Sequence, residues 1–173
     1  MWKKVHEVLS DDCVRGTEKH SPSLMVWGVV SRKGAGPLVV VEGSEDSTKY
    51  VDVLAKHYYP YMVGSQFRMI LQEDNAPSHM SGYSKWWKRT TAVNTLDSWP
   101  ANSPDLNLIE NVWDYIGNVL KIQSEPPAST GELERRIRQI WNTVDEAFME
   151  RLYDSMERRV EAVIAAKGGS TKY

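Results

Sequence analysis

Two acidic residues lie where folding of the chain would bring carboxylates together. Asp74 follows a short apolar segment, 68–72, and Glu110 lies in the first turns of an amphipathic helix that begins after Asn107. Ligand-binding residues of open α/β sheets cluster at the carboxyl ends of strands. Carboxylate oxygens are the ligands that Mg²⁺ and Mn²⁺ prefer, and carboxylate pairs or triads hold two such ions about 4 Å apart in phosphodiester chemistry. Together the two acids predict a metal site for that chemistry.

Each acid also has an ordinary structural explanation. Asn75 and Pro77 predict a turn after Asp74, where acidic residues are common. A glutamate early in a helix, such as Glu110, interacts favourably with the helix dipole and needs no further role. Zinc and nucleotide hydrolysis fit less well, because the four histidines are too scattered for a His-Glu-x-x-His motif and the sequence has no glycine-rich phosphate loop.

Hydrophobic periodicity predicts the elements that would position these acids. Apolar runs predict strands at 23–30 and 37–42, joined as an antiparallel hairpin by a long, flexible loop. A helix should begin at an N-cap, Ser47, and end at Pro60 and Gly64. Further predicted elements are a strand at 68–72, a helix at 81–90, a strand at 93–96 and helices at 108–120, 130–143 and 145–166.

The order of elements and the composition predict one globular domain, residues 1–173, of the α/β or α+β class with a mixed sheet flanked by helices. Of the 173 residues, 41% are hydrophobic and 25% are charged, which is enough to form a core. The single cysteine, Cys13, excludes an intramolecular disulfide and a thiolate metal cluster. No apolar run approaches the roughly 20 residues that cross a bilayer. We therefore expect an intracellular protein without a membrane partner or small-molecule cofactor.

The net charge of −2 gives no support to DNA binding through phosphates alone. Two local basic clusters are present: Lys85, Lys88 and Arg89, and further along Arg135, Arg136 and Arg138. Each cluster taken alone is better explained as a solvated helix face.

Several segments resemble the Tc/mariner transposases, a branch of the DDE superfamily with an RNase H-like fold. The similar segments are Ser-Leu-Met-Val-Trp-Gly at 23–28, Gln-Glu-Asp-Asn-Ala-Pro-Ser-His at 72–79, Trp-Pro-Ala-Asn-Ser-Pro-Asp-Leu-Asn at 99–107, Ile-Glu-Asn-Val-Trp at 109–113 and Ala-Lys-Gly-Gly-Ser-Thr-Lys-Tyr at 166–173. The resemblance covers nearly the whole chain. Its most specific part is Ser-Pro-Asp-Leu-Asn-x-Ile-Glu-Asn with an upstream Asp-Asn-x-Pro-x-His.

The resemblance implies DNA cleavage and strand transfer with Mg²⁺ or Mn²⁺. It makes Asp74 the second catalytic, metal-binding acid and Glu110 the third. Thirty-five residues separate the two, one more than the commonest spacing in this family. The polar residues implied to lie behind the metal ligands or to contact DNA are Asn75, His79, Asn107 and Asn111. Expected partners are transposon ends, target DNA and further copies of the chain, in the nucleus if the host is eukaryotic.

The sequence departs from the family pattern at its start and at Leu108, which replaces the usual proline. The family's first catalytic Asp lies on a strand before the segment that begins here at Trp2. We therefore expect this chain to lack that acid, the first, central strand of the sheet and the DNA-reading helix-turn-helix modules. Asp11 and Asp12 fall in the following loop and do not inherit the role. A missing central strand would expose a sheet edge, which predicts self-association, a rearranged sheet or marginal stability. Two carboxylates instead of three predict weaker metal binding.

Two functional hypotheses follow. The chain is part of the catalytic domain of a transposase that cuts DNA and joins strands, or it is an inactive, truncated or domesticated chain that acts as a DNA-binding or assembly module. An unrelated nuclease of the same fold is a weaker alternative, because the string at 103–110 is typical of transposases.

Overall fold

The computed structural model describes residues 2–4, 22–96, 99–100, 103–123, 125–169 and 171–173. Within these ranges a three-stranded antiparallel sheet has the order β1-β2-β3. The strands are β1, Trp2–Lys4, β2, Met25–Ser31, and β3, Gly34–Val41. Strand β1 pairs only with the first part of β2, from Met25 to Trp27, whereas β3 pairs along the length of β2.

The predicted β2–β3 hairpin is present, but its turn is tight. Ser31 pairs with Gly34, so that Arg32 and Lys33 alone form the turn. Gly34 has a φ of 112°, and a Cβ there would lie 2.8 Å from the carbonyl oxygen of Val144. Both features favour glycine. The prediction of a long, flexible loop is wrong, because the left-handed backbone at Gly34 lets the chain reverse within two residues.

Eight α-helices lie in the described ranges. They are α1, Ser47–Val53; α2, Tyr59–Gly64; α3, Pro77–Met80; α4, Gly82–Thr90; α5, Leu108–Ile122; α6, Thr130–Trp141; α7, Glu146–Asp154; and α8, Met156–Ala165. The predicted helices at 81–90, 108–120 and 130–143 are confirmed as α4, α5 and α6. None of the helices in these ranges combines the length and apolar character needed to span a bilayer.

The first helical segment differs from its prediction in two details. Its N-cap is Asp46, whose carboxylate accepts hydrogen bonds from the backbone N–H groups of Thr48 and Lys49, so the predicted cap at Ser47 is wrong by one residue. A π-helical turn joins α1 to α2, and Pro60 lies in the first turn of α2 rather than ending the helix. Proline has no N–H to donate and usually ends a helix, but here the helical conformation continues from the π turn through Pro60 to Gly64.

The single helix predicted at 145–166 is instead two helices. Helix α7 ends at Asp154, and the hydroxyl of the next residue, Ser155, accepts a hydrogen bond from Arg159 Nε at 2.7 Å. Arg159 is buried and donates to the carbonyl oxygen of Asp105 at 2.8 Å. A turn at Ser155 separates the two helices, and α8 contacts the 3₁₀ turn Pro104–Leu106. Periodicity within the helix does not reveal this contact.

The two short strands predicted at 68–72 and 93–96 form one parallel bridge, between Leu71 and Thr95. The Leu71 N–H donates to the carbonyl oxygen of Asn94 at 2.8 Å. In the described part of the chain the pairing extends no further. Because the bridge is parallel, both segments continue in the same direction beyond it.

Apolar side chains form one cluster on each face of the sheet. Val26 of β2 packs with α5, α6 and α7, whereas the next residue, Trp27, packs with α1 and the π turn. Gly28 faces the same side as Val26. A Cβ at Gly28 would lie 2.6 Å from Trp141, which stacks on Trp113 with ring centroids 5.2 Å apart. The glycine therefore lets this tryptophan pair approach the sheet.

A cleft of about 160 Å³ separates β2 from the segment 69–73. Within the described residues no strand fills this cleft. Tyr58 lines the cleft, and its buried hydroxyl has no hydrogen-bond partner among the described residues. Burial, together with the charge of Glu73, raises the pKa of Tyr58 to about 12.

Candidate active site

Asp74 lies just after the Leu71–Thr95 bridge, where the chain turns into α3. Its Oδ1 accepts a hydrogen bond from the Ala76 N–H at 3.0 Å and lies 2.7 Å from His79 Nδ1. The side chain keeps 42% of its surface exposed. Within the described residues Oδ2 has no hydrogen-bond partner. One oxygen therefore fixes the carboxylate, and the other is available to a ligand.

The Asp74 carboxyl is held in its ionised form. Burial alone would raise the pKa of Asp74, but hydrogen bonds from His79 and the Ala76 N–H outweigh it and lower the pKa below the usual 3.8. A ligand carboxylate must be deprotonated to bind a cation. The local electrostatics of Asp74 thus suit a metal ligand at neutral pH.

His79 lies between two carboxylates and has no exposed surface. Its Nδ1 faces Asp74, and its Nε2 is 3.7 Å from Glu45 Oε1, too far for a hydrogen bond. Burial raises the pKa of Glu45 even though Ser78 donates a hydrogen bond to it. The Tyr50 ring packs on the imidazole, with centroids 4.2 Å apart. His79 therefore orients Asp74 from inside the protein and presents no surface to DNA.

Glu73 is directed into the protein, whereas its neighbour Asp74 is half exposed. The Glu73 carboxylate accepts hydrogen bonds from Lys88 Nζ and the Tyr50 hydroxyl. Lys88 Nζ also donates to the carbonyl oxygen of His79 at 3.2 Å. Only 7% of the Lys88 side chain and 12% of the Glu73 side chain are exposed. The network fastens α1 and α4 to the segment that carries Asp74.

Glu110 lies in the first turn of α5 and is partly buried. Its N–H donates to the carbonyl oxygen of Asn107 at 3.0 Å. Gln72 Nε2 donates to the Leu106 carbonyl oxygen at 3.3 Å and to Asn107 Oδ1 at 3.4 Å. These bonds join the segment leading to Asp74 to the start of α5, and so place the two predicted metal ligands on adjoining parts of the fold.

The candidate metal ligands, where the segment leading to Asp74 meets the start of α5, are oxygen atoms. Besides Asp74 and Glu110 there is Asn111, whose buried Oδ1 has no hydrogen-bond partner among the described residues. Such an orphaned acceptor marks a place for water or a cation. Oxygen donors suit Mg²⁺ or Mn²⁺ rather than zinc. The described residues contain no group of three or more His, Cys, Asp or Glu side chains that could hold a metal, so an ion bound here would keep several waters.

The remaining predicted site residues, Asn75 and Asn107, have structural partners. Asn75 is exposed, and its Nδ2 donates to the carbonyl oxygen of Trp99 at 2.9 Å, which ties the turn after Asp74 to the 99–107 motif. Asn107 is buried and receives the Gln72 amide. Residues 11 and 12, the two acids near the start, fall outside the described residues.

Sequence reasoning missed four residues that support Asp74: Glu45, Tyr50, Glu73 and Lys88. Lys88 was assigned to a solvated helix face, and that assignment is wrong because its Nζ is buried against Glu73. The four-residue spacing places Lys88 on the same face of α4 as Ser84, and the structure shows that this face is the buried one. Nothing local distinguishes the inward Glu73 from an ordinary turn acid.

Asp105 of the Ser-Pro-Asp-Leu-Asn string fastens the C-terminal segment. Its Oδ2 accepts hydrogen bonds from the Thr171 N–H at 3.1 Å and the Thr171 hydroxyl at 2.6 Å. The Arg159 guanidinium, which also bonds the Asp105 backbone, lies 4.8 Å from the centre of the Tyr173 ring. The C-terminal segment therefore holds the turn that precedes Glu110.

Sequence comparison identifies the family. The model described as DDE superfamily endonuclease matches residues 11–130. The transposase of transposable element Tcb1 from Caenorhabditis briggsae is 36% identical over 159 residues, which cover 91% of this chain and 57% of that protein. This chain belongs to the Tc/mariner family of DDE transposases. It spans a little over half the length of this curated relative.

Solved structures of a mariner transposase share the fold of this Tc/mariner chain. The Mos1 transposase catalytic domain, solved with Raltegravir and Mg, has a TM-score of 0.73 at 19% identity and covers 87% of this chain and 78% of that chain. The Mos1 Strand Transfer Complex has a TM-score of 0.79 at 17% identity and covers 95% of this chain and 48% of that chain. The predicted RNase H-like α/β fold is confirmed.

Proposed function

We propose that this chain carries the catalytic carboxylates of a DNA transposase, and that Asp74 and Glu110 hold Mg²⁺ or Mn²⁺ for DNA cleavage and strand transfer. The observation that carries the proposal is the state of Asp74, an ionised, half-exposed carboxylate fixed through one oxygen by His79. The bond from Gln72 to the start of α5 supports a shared site with Glu110. The solved Mos1 structures, one with Mg and one a strand transfer complex, support the chemistry.

In this proposal Asp74 and Glu110 bind the ions, and His79 and the Ala76 N–H orient Asp74. When bound, the ions would activate water or a DNA 3′-hydroxyl for in-line attack at phosphorus and stabilise the leaving oxygen. Asp74 would bind through Oδ2 while His79 and the Ala76 N–H hold Oδ1 in place. Glu110 would approach from α5, with the Asn111 oxygen as a neighbouring acceptor.

DNA is the substrate in this proposal, as transposon ends and as target. Assembly with further copies of the chain would bring paired ends together, and a eukaryotic host would place the reaction in the nucleus. The proposal treats residues 1–173 as belonging to one catalytic domain.

A second candidate function is a non-catalytic DNA-binding or assembly module. The described residues contain no group of three His, Cys, Asp or Glu side chains that could hold a metal. Asp74 and Glu110 without a third carboxylate would bind divalent ions weakly and would hold two ions poorly.

A nicking assay on a labelled DNA duplex with Mn²⁺ separates the two candidates. If the chain is catalytic, the wild type should nick the duplex, and Asp74→Asn and Glu110→Gln should each abolish nicking. The control variant combines Asp52→Asn with Glu150→Gln, two exposed carboxylates on α1 and α7, and should nick like the wild type. Nicking that survives Asp74→Asn would contradict the catalytic proposal, and a wild type that binds DNA without nicking would favour the module.

A further inference from the structure

Residues far along the chain hold the turn before Glu110 by both the side chain and the backbone of Asp105. The Asp105 Oδ2 accepts hydrogen bonds from the Thr171 N–H at 3.1 Å and the Thr171 hydroxyl at 2.6 Å. The Asp105 carbonyl oxygen accepts one from Arg159 Nη1 at 2.8 Å. The Arg159 guanidinium lies 4.8 Å from the centre of the Tyr173 ring. We call these four residues, Asp105, Arg159, Thr171 and Tyr173, the Asp105 clasp.

The buried guanidinium of Arg159 makes the Asp105 clasp costly to open. Only 4% of the Arg159 surface is exposed. Its hydrogen bonds go to Ser155 Oγ and to the Asp105 carbonyl oxygen. A buried charged group that loses a hydrogen bond is strongly unfavourable, so a displacement of the turn at Asp105 would leave a guanidinium N–H unpaired. The clasp therefore opposes movement of this turn.

A continuous series of contacts connects the Asp105 clasp to Glu110. The Asn107 N–H donates to the Pro104 carbonyl oxygen at 2.9 Å, and the Glu110 N–H donates to the Asn107 carbonyl oxygen at 3.0 Å. Residues 108–109, which lie between Asn107 and Glu110, are each only 7% exposed and pack in the apolar cluster beneath α5. A displacement at Asp105 is therefore transmitted to the first turn of α5.

The start of α5 depends on such outside support. Within the described residues the N-cap, Asn107, makes no capping hydrogen bond with its side chain, which instead receives the Gln72 amide. The first helical residue is Leu108, and leucine does not fix the backbone for a helix start as proline does. The Asp105 clasp on one side and Gln72 on the other therefore set the position of the first turn.

We propose that Asp105 and Thr171 are positioning residues for Glu110, and that their hydrogen bonds hold the first turn of α5 where the Glu110 carboxylate can share an ion with Asp74. Asp105 binds no ion in this role. Because Gln72 joins the same turn to the segment that carries Asp74, opening the Asp105 clasp would move Glu110 relative to Asp74. The inference rests on the proposed function, since it assumes that Asp74 and Glu110 form one metal site.

Calorimetric titration of Mn²⁺ tests the inference with variants that open or preserve the Asp105 clasp. Thr171→Val and Asp105→Ala should each weaken Mn²⁺ binding by about 10- to 100-fold, the loss typical when a residue that supports a metal ligand is removed. Thr171→Ser keeps the hydroxyl donor and should bind Mn²⁺ like the wild type. The control, Ile140→Val, trims a buried side chain of α6, which lowers stability without touching the clasp, and should leave Mn²⁺ affinity unchanged.

A double-variant comparison shows whether the Asp105 clasp acts through Glu110. Glu110→Gln removes the ligand that the clasp positions, so adding Thr171→Val to it should weaken the residual Mn²⁺ binding at Asp74 no further. An equal loss with and without Glu110 would show that Thr171 affects the site by another route and would overturn the inference. Wild-type Mn²⁺ affinity in both Thr171→Val and Asp105→Ala would overturn it as well.

Amide hydrogen exchange without metal separates the inference from the proposed function. Thr171→Val should speed exchange of the Glu110 amide by a larger factor than exchange of the Leu133 amide at the start of α6, because the opening is local. Equal factors at the two amides would overturn the inference. Faster local exchange in a chain that binds no Mn²⁺ would refute the metal site and leave the Asp105 clasp standing. Mn²⁺ binding that needs Glu110 but not Thr171 would leave the proposed function standing without the clasp.

Discussion

At the scale of single residues, Asp74 and Glu73 show how neighbouring acids acquire different roles. Asp74 keeps an exposed oxygen and receives hydrogen bonds that stabilise its charge. Glu73 is directed inward and receives Lys88 and Tyr50. The sequence pattern identifies Glu73 and Asp74 as acids after an apolar segment. Residues from α1, α3 and α4 determine which of the two is directed inward and which stays exposed.

The lowered pKa of Asp74 predicts a specific response to acid. Between its folded pKa and the usual 3.8, the unfolded chain binds more protons than the folded chain, so stability rises with pH. The contribution is complete above about pH 3.8 and is lost as the pH falls through the lower folded value. In urea unfolding across this range, Asp74→Asn should lose less stability on acidification than the wild type. An Asp52→Asn control should follow the wild type, and parallel curves for Asp74→Asn and the wild type would refute the assignment.

At the scale of elements, periodicity in the sequence predicted the helices and strands that form from residues within one segment. The hairpin follows from two apolar runs, and helices α4, α5 and α6 follow from helical spacing within each segment. The helix break at Ser155 and the inward direction of Lys88 do not, because each involves a partner elsewhere in the chain. Lys88 meets Glu73 15 positions away, and Arg159, shortly after the break, meets Asp105 54 positions away. The same reason explains why Glu45 and Tyr50 were not predicted near Asp74.

The buried pair predicts a strong effect of changing Lys88. Lys88→Met leaves the Glu73 carboxylate buried without its cation, which should lower the free energy of unfolding by about 3–5 kcal/mol. Lys56→Met breaks the exposed i,i+4 pair with Asp52 and should cost about 0–1 kcal/mol. Urea unfolding measures both values.

A second variant checks the physical cause of that loss. Adding Glu73→Gln to Lys88→Met removes the uncompensated charge and should restore part of the lost stability. If Lys88→Met were no more destabilising than Lys56→Met, the pair would not be what fastens α4 to the Asp74 segment.

At the scale of the whole molecule, two apolar clusters enclose the sheet and the C-terminal segment completes the fold. Thr171 reaches back 66 positions to Asp105, and Arg159 holds the same turn from α8. The segments 99–107 and 166–173 both resemble the family, but the resemblance does not indicate that they are in contact. Their contact gives the Asp105 position a structural explanation independent of metal chemistry.

The C-terminal contact predicts a loss of global stability on a small change. Thr171→Val removes the hydroxyl donor to the Asp105 carboxylate and should lower the free energy of unfolding by about 1–2 kcal/mol. Thr90→Val removes a comparable hydroxyl bond to the Trp86 carbonyl at an exposed position of α4 and should change the free energy of unfolding by less than about 0.5 kcal/mol. Chemical denaturation of the full chain compares them, and equal effects would argue against a role for the C-terminal segment in holding the turn.

Calorimetric titration of Mn²⁺ into the purified chain tests most directly whether Asp74 and Glu110 form one metal site. The wild type should bind Mn²⁺, and Asp74→Asn or Glu110→Gln should each weaken binding by at least the roughly 10- to 100-fold that loss of a supporting residue costs. The double variant should show no binding, while Asp52→Asn with Glu150→Gln should match the wild type. Identical titrations for the wild type and the Asp74→Asn, Glu110→Gln double variant would contradict the account.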